Sequence, residues 1–207
     1  TGNGSDGLSI NKFGQITGYS QSPSGGINAL LYSAGVITDL GQLPSGTLSA
    51  GVAINDSGQI AGNAATSGFD APHVFLYDGS MHDLGEFGGN TNVTGMNNFG
   101  QIVGWFVVNS SMGFLYEPGI GFVDMNTLIP TGSPVVYAPS AINDKGVVTG
   151  SMANSHAFLM SPIYEAYIQQ PINADGSSVF PAKRGVVPVK FAVTQYGTQT
   201  SCTLPAT

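Results

Sequence analysis

One phrase is written four times along this chain: Ile10-Asn11-Lys12-Phe13-Gly14-Gln15-Ile16, then Ile54 to Ile60, Met96 to Ile102 and Ile142 to Val148. Its asparagines, Asn11, Asn55, Asn97 and Asn143, stand 44, 42 and 46 residues apart. A near-constant period of this length marks a repeat architecture, in which each copy is one supersecondary unit that cannot bury its apolar surface alone. The chain must therefore fold by packing one repeat on the next.

The second repeat divides into four short extended pieces: Gly51 to Asn55, Gln59 to Ala64, His73 to Tyr77 and Met81 to Leu84. Each is rich in Val, Ile, Phe, Tyr or Leu and bounded by turn residues, and no segment sustains a helical period. In Asn55-Asp56-Ser57-Gly58 the Asn or Asp side chain opens a type I turn, and the glycine supplies the positive φ that closes it as a bulge. Gly14, Gly58, Gly100 and Gly146 share that position. A third-strand phrase recurs as Ala29 to Tyr32, Val74 to Tyr77, Gly113 to Tyr116 and Ala157 to Met160. A fourth, Thr38-Asp39-Leu40-Gly41, returns as His82 to Gly85 and, degraded, as Val123 to Asn126, but is missing after Met160.

These spacings predict an all-β fold: a β-propeller-like array of four four-stranded repeats of about 44 residues, with the fourth repeat incomplete. The array is expected over residues 1–162, and a C-terminal extended β tail over 163–207.

Composition narrows the class. Only 8% of residues are charged, against about 25% in an average soluble domain, while glycine reaches 30 residues. This suits an extracellular surface of turns and strand edges. A net charge of -7 argues against a nucleic-acid partner, which would need clustered Lys and Arg. Residues 1–162 hold ten acids against Lys12 and Lys145; the tail holds Glu165 and Asp175 against Lys183, Arg184 and Lys190. The two regions thus differ in sign. Cys202 is the one cysteine, which excludes an internal disulfide and a Cys-based zinc site. No apolar run approaches the ~20 residues of a membrane-spanning helix, and a start at Thr1 without a basic, apolar leader suggests a mature or trimmed product.

These phrases resemble the HAF repeat of bacterial extracellular proteins, which joins an Ile-Asn-x-x-Gly-Gln-Ile-x-Gly hairpin to a His-Ala-Phe-Leu-Tyr strand and an Asp-Leu-Gly phrase. His156-Ala157-Phe158-Leu159 matches the namesake in full, and His73-Val74-Phe75-Leu76 comes close. Asn28 and Met112 replace the histidine elsewhere. The resemblance covers about residues 7 to 161 and implies a secreted or surface repeat protein without catalytic residues to transfer. Beyond Pro162, Pro171 to Phe180 and Val187-Pro188-Val189-Lys190-Phe191 resemble the opening of an extracellular immunoglobulin-like module named for its Pro-x-Lys-Phe motif. From Pro171 to Thr207 too few strands remain to close a sandwich.

An incomplete fourth repeat and a truncated module share one chain, and open strand edges invite pairing. Tyr164 to Gln170 could supply the missing strand locally. Alternatively Val187, Val189, Phe191 and Val193, with Lys183, Arg184 and Lys190 as basic neighbours, could add a strand to another copy. Head-to-tail contacts of that kind grow a filament when they do not close. The leading expectation is therefore a non-enzymatic, self-assembling extracellular or cell-surface structural protein. A fragment of a longer propeller protein, its tail packed on its own chain, is the plainer alternative. A cell-surface module binding glycan or protein ligands is the second functional class, with Trp105 and Phe106 as candidate contacts, although both also suit the packing between repeats. A hydrolase with its site at a propeller axis is a third class. No catalytic residues, cofactor or metal ligands stand out: His73 and His156 occupy the same position in different repeats, and Asp39, Asp83 and Asp124 recur as strand-end hydrogen-bonding groups.

Overall fold

A computed structural model of the chain describes residues 4–22, 25–66 and 72–162, together with the backbone of three strands in 164–168, 190–195 and 198–203. The protein is all-β: no α-helix occurs among the described residues, and several sheets form, none closed on itself. It divides into two compact units, Thr1–Met160 and Ser161–Thr207, where the sequence suggests a boundary after Pro162.

Repeat one contributes β1 (Ser5–Ile10), β2 (Ile16–Gln21), β3 (Ile27–Ser33) and β4 (Val36–Gly41). Repeat two contributes β5 (Leu48–Ile54), β6 (Ile60–Ala65), β7 (His73–Tyr77) and β8 (Met81–Gly85), and repeat three β9 (Asn90–Met96), β10 (Ile102–Val107), β11 (Ser111–Glu117) and β12 (Gly121–Asp124). Repeat four stops at β13 (Val136–Ile142), β14 (Val148–Met152) and β15 (Ala157–Met160). Within each repeat neighbouring strands pair antiparallel; a single parallel bridge, Ile27 with Leu48, joins the first two sheets. The degraded phrase in repeat three ends its strand at Asp124, whose side chain caps a short 3-10 helix over Met125–Leu128.

The turns follow from their residues. Gly58 adopts φ 77°, its N–H donates to the Asn55 carbonyl at 3.0 Å, and Asn55 Oδ1 accepts from Ser57 N and Gln59 N at 3.0 Å each. The asparagine side chain thereby replaces backbone partners that a five-residue loop cannot provide.

Period-two alternation sends neighbouring side chains of each second strand to opposite faces. Ile60 faces back toward repeat one, with Ala29, Leu43, Ile54, Ala64 and Phe75. Ala61, its neighbour, faces forward with Val74 against Val93, Ile102, Phe106 and Phe114 of repeat three. Val103 and Met125 continue the pattern against Val136, Val148 and Phe158 of repeat four. All three cores therefore lie between repeats, and none lies within one. In repeats two to four a glycine in the second strand makes room for the third-strand aromatic opposite it: Gly62 pairs with Phe75, Gly104 with Phe114 and Gly150 with Phe158; in repeat one Gly18 faces Leu30. A Cβ on Gly104 would lie 2.7 Å from the Phe114 ring and 2.0 Å from the Asn92 carbonyl oxygen. Ring over glycine is how a strand position without a side chain stays covered.

In the C-terminal unit β16 (Tyr164–Ile168), β17 (Lys190–Gln195) and β18 (Thr198–Thr203) form an antiparallel sheet in that order. Tyr164 to Gln170, expected to be able to complete repeat four, instead provides β16, which pairs with β17. β17 is the central strand, hydrogen-bonded on both sides.

Candidate functional site

The four turns stack into a ladder with two parallel rails. On the first rail each asparagine donates one Nδ2 hydrogen to the glutamine four residues on, at 2.7, 2.8 and 2.6 Å for Asn11, Asn55 and Asn97. The other goes to the backbone carbonyl of the next repeat's asparagine: Asn11 to Asn55 at 3.0 Å, Asn55 to Asn97 at 3.4 Å, Asn97 to Asn143 at 3.0 Å. On the second rail the following residue's N–H donates to the side chain one repeat further along. Lys12 N meets Asp56 Oδ1 at 3.2 Å, Asp56 N meets Asn98 Oδ1 at 2.8 Å, and Asn98 N meets Asp144 Oδ1 at 2.9 Å.

Along this second rail the side chains run cationic, anionic, neutral and anionic. Lys12 Nζ lies 3.1 Å from Asp56 Oδ2, and Asn98 Nδ2 bridges Asp56 and Asp144 at 3.1 and 2.8 Å. A neutral amide thus separates two carboxylates that would otherwise repel. The Lys12 N–H beside Asp56, helped by the Lys12 ammonium and the Asn98 amide, holds its carboxyl below the usual aspartate value. Asp144 is likewise lowered, chiefly by the Asn98 N–H and then its side chain, against an opposing push from the Asp56 charge.

The ladder has direction and two unlike ends. Giving requires only an Asn Nδ2 and an N–H; receiving on the second rail requires an oxygen-bearing side chain. Lys12 cannot receive. At the other end Val147 replaces the glutamine, and among the described residues neither Asn143 Nδ2 nor the Asp144 N–H has a partner. Asn143 is exposed where Asn55 and Asn97 are 4% and 3% exposed. The sequence signal for this polarity is Lys, Asp, Asn, Asp at the position after each repeated asparagine.

The third- and fourth-strand phrases also meet. His73 Nδ1 contacts both Asp83 oxygens at 2.9 and 3.0 Å, and Asn28 Nδ2 contacts both Asp39 oxygens at 2.9 Å in repeat one. Each aspartate also caps its own strand end, accepting from the N–H of Gly41 or Gly85. His82 turns instead to Asp78 at 2.8 Å. Without a fourth strand His156 is exposed and lacks a carboxylate partner among the described residues. Among the described residues β15 is the outer strand of its sheet there.

Other candidates from the sequence fall as follows. Phe106 is 5% exposed and its ring lies 4.5 Å from Phe87, inside the core between repeats two and three; that burial removes it as a ligand contact. Trp105, its neighbour on β10, is half-buried. Lys183, Arg184, Val187 and Val189 lie outside the described residues. Lys190, Phe191 and Val193 lie on β17, whose side chains also lie outside the description. Among the described residues no group of three or more His, Cys, Asp or Glu could hold a metal ion, and no helix is long and apolar enough to cross a membrane. Two open clefts of about 520 and 530 Å³ are lined by Gly4, Asp6, Tyr19 and Gln21, and by Tyr137, Ser151, Met152 and Ser155. Neither lining holds two carboxylates. Comparison with known proteins finds no family model that matches this chain and no curated protein similar to it.

Proposed function

We propose that this is an extracellular structural protein of the HAF-repeat kind, whose repeats pack radially as propeller blades and whose copies assemble head to tail into a filament without catalysing a reaction. The observation that carries the reading is the fourth repeat: among the described residues it has three strands, with β15 the outer strand of its sheet and Leu159 exposed. An unpaired edge beside apolar surface is a template for another chain's strand. The C-terminal unit is the donor in this reading. Because β17 is paired on both sides, the addition uses the outer edges of β16 or β18 and not the Val187 to Val193 stretch itself.

Opposite charge on residues 1–162 and on the tail supports the same pairing, steering encounter more than holding the complex. Negative-stain imaging of the chain with and without residues 163–207 tests the reading. Filaments that vanish on deletion are the expected result; monomers in both samples, or filaments in both, would sink tail-mediated assembly.

A further inference from the structure

We propose that the outer face of repeat four docks on the outer face of repeat one of a second copy of this chain, so that the turn ladder runs on from chain to chain. The inference rests on the head-to-tail reading above but assigns a different contact, one made by the repeats themselves.

The two open faces are the two halves of an interface the molecule already uses. Repeat one presents Thr17, Ala29 and Leu31 toward repeat two; Thr17 and Ala29 are fully buried there, and Leu31 packs on the shared core. The same positions in repeat four are Thr149, Ala157 and Leu159, the same three residue types, and all are exposed, Leu159 by 73%. On the receiving side repeat two offers Ile54, Tyr77 and Met81 to that core. Repeat one carries Ile10, Tyr32 and Ile37 at those positions, exposed by 64%, 36% and 66%. Repeat four therefore presents an exposed giving face and repeat one an exposed receiving face. Apolar area on both would leave water on contact, the driving term of association.

The ladder ends fit the same step. Asn55 O accepts both the Gly58 N–H and the Asn11 amide; Asn11 O accepts the Gly14 N–H and keeps a lone pair for the Asn143 amide of the preceding copy. On the second rail Lys12 cannot accept the Asp144 N–H. Its ammonium can meet the Asp144 carboxylate, as it meets Asp56 at 3.1 Å within the chain. A positive first rung facing an acidic last rung selects giving face against receiving face over either face against itself. Such a heterologous contact closes into a ring or continues as a filament.

The test uses the full-length chain with Leu159→Glu or Ile10→Glu, each at an exposed position, with thermal melts to show that the fold is kept. Ala157→Glu and Tyr32→Glu stand in where a melt is altered. Mass photometry and sedimentation velocity over a concentration series read the association. Each variant alone is expected to weaken assembly roughly tenfold or more by burying a carboxylate against apolar surface. Mixed one to one they are expected to form a capped heterodimer, because each retains the face the other lacks. Variants that assemble like the unaltered chain, a mixture no larger than its components, or an unaltered chain that stays monomeric at every concentration would overturn the contact. Assembly lost on deleting 163–207 but untouched by both variants would leave the tail reading standing without this one. A closed ring of copies abolished by either variant would keep this contact and end the filament reading.

Discussion

Asn97 and Asn143 occupy the same place in the same turn, yet they live in different worlds. Both accept from the N–H groups two and four residues on, at 3.0 and 3.1 Å for Asn97 and at 2.9 and 3.0 Å for Asn143. Asn97 also gives both amide hydrogens, one to Gln101 and one to repeat four, and is buried. Asn143 is exposed and gives neither among the described residues. Two things differ: Val147 stands where Asn97 has Gln101, and among the described residues no further repeat takes up the second amide hydrogen; the local motif forms the hairpin, and a following repeat turns it into a rung. In arrays of this kind stability is the sum of weak repeats and the interfaces between them, so interior and terminal positions should respond differently to the same substitution.

The core aromatics should show the largest contrast. Phe114 is fully buried between repeats two and three, with its ring 5.3 Å from Phe122, and Phe114→Ala is expected to cost about 3–5 kcal/mol. Phe158, 7% exposed, belongs to the core between repeats three and four. Phe158→Ala should cost less, because loosening a terminal repeat leaves the interior interfaces intact. Urea denaturation compares the two; equal losses would break the distinction and show that the fourth repeat unfolds only with the whole array.

The turn asparagines come next. Asn97→Ala strands the part-buried Phe99 and Gln101 N–H groups and removes the bond to repeat four, an expected loss of about 2 kcal/mol. At Asn143 the corresponding Lys145 and Val147 groups lie nearer solvent, and Asn143→Ala is expected to cost about 1 kcal/mol, the ordinary value of a capping side chain. Measured at a concentration where the chain is monomeric, a loss at Asn143 as large as at Asn97 would refute the claim that the rung, and not the turn alone, is what matters.

Much of this was readable from residue order. Asn-x-x-Gly with apolar flanks specified the hairpins through side-chain capping and positive φ, and the four strands of repeat two fall within a few residues of their expected places. The Asp of the fourth-strand phrase reads as a strand-end acceptor and is one. Two features were not readable. The Asn11 to Asn55 contact joins residues 44 apart, and periodicity says that positions are equivalent without saying which atoms of one touch the next. Trp105 and Phe106 are adjacent aromatics on one strand, so alternation must send them to opposite faces; which face is core depends on Phe87, outside their own hairpin. The pairing of the tail was hidden for a related reason: a strand's alternation does not name its partner, and β17 has two within its own unit.

The smallest effect separates the carboxylates of the second rail. Asp56 and Asp144 both have folded-state pKa values below the ordinary one near 3.8. A depressed folded pKa means that the stabilisation is complete above the unfolded value and is lost as pH falls through the folded one. Stability should therefore decline on acidification from about pH 4 downward. Asp56→Asn and Asp144→Asn each keep an oxygen for the incoming N–H while removing the titrating charge, so each should flatten that decline. Their responses to salt should differ. The Asp56 carboxylate is held partly by the Lys12 ammonium, whose side chain is 62% exposed, and ions screen such a pair. Asp144 is held first by the Asn98 N–H and then by its amide, with Lys12 only a minor, more distant help. Chemical denaturation at pH 3 to 7, at low and at molar salt, reads both. The Asp56 contribution should shrink with salt while that of Asp144 changes little, and parallel responses would mean that the first rung is held by its backbone bond alone.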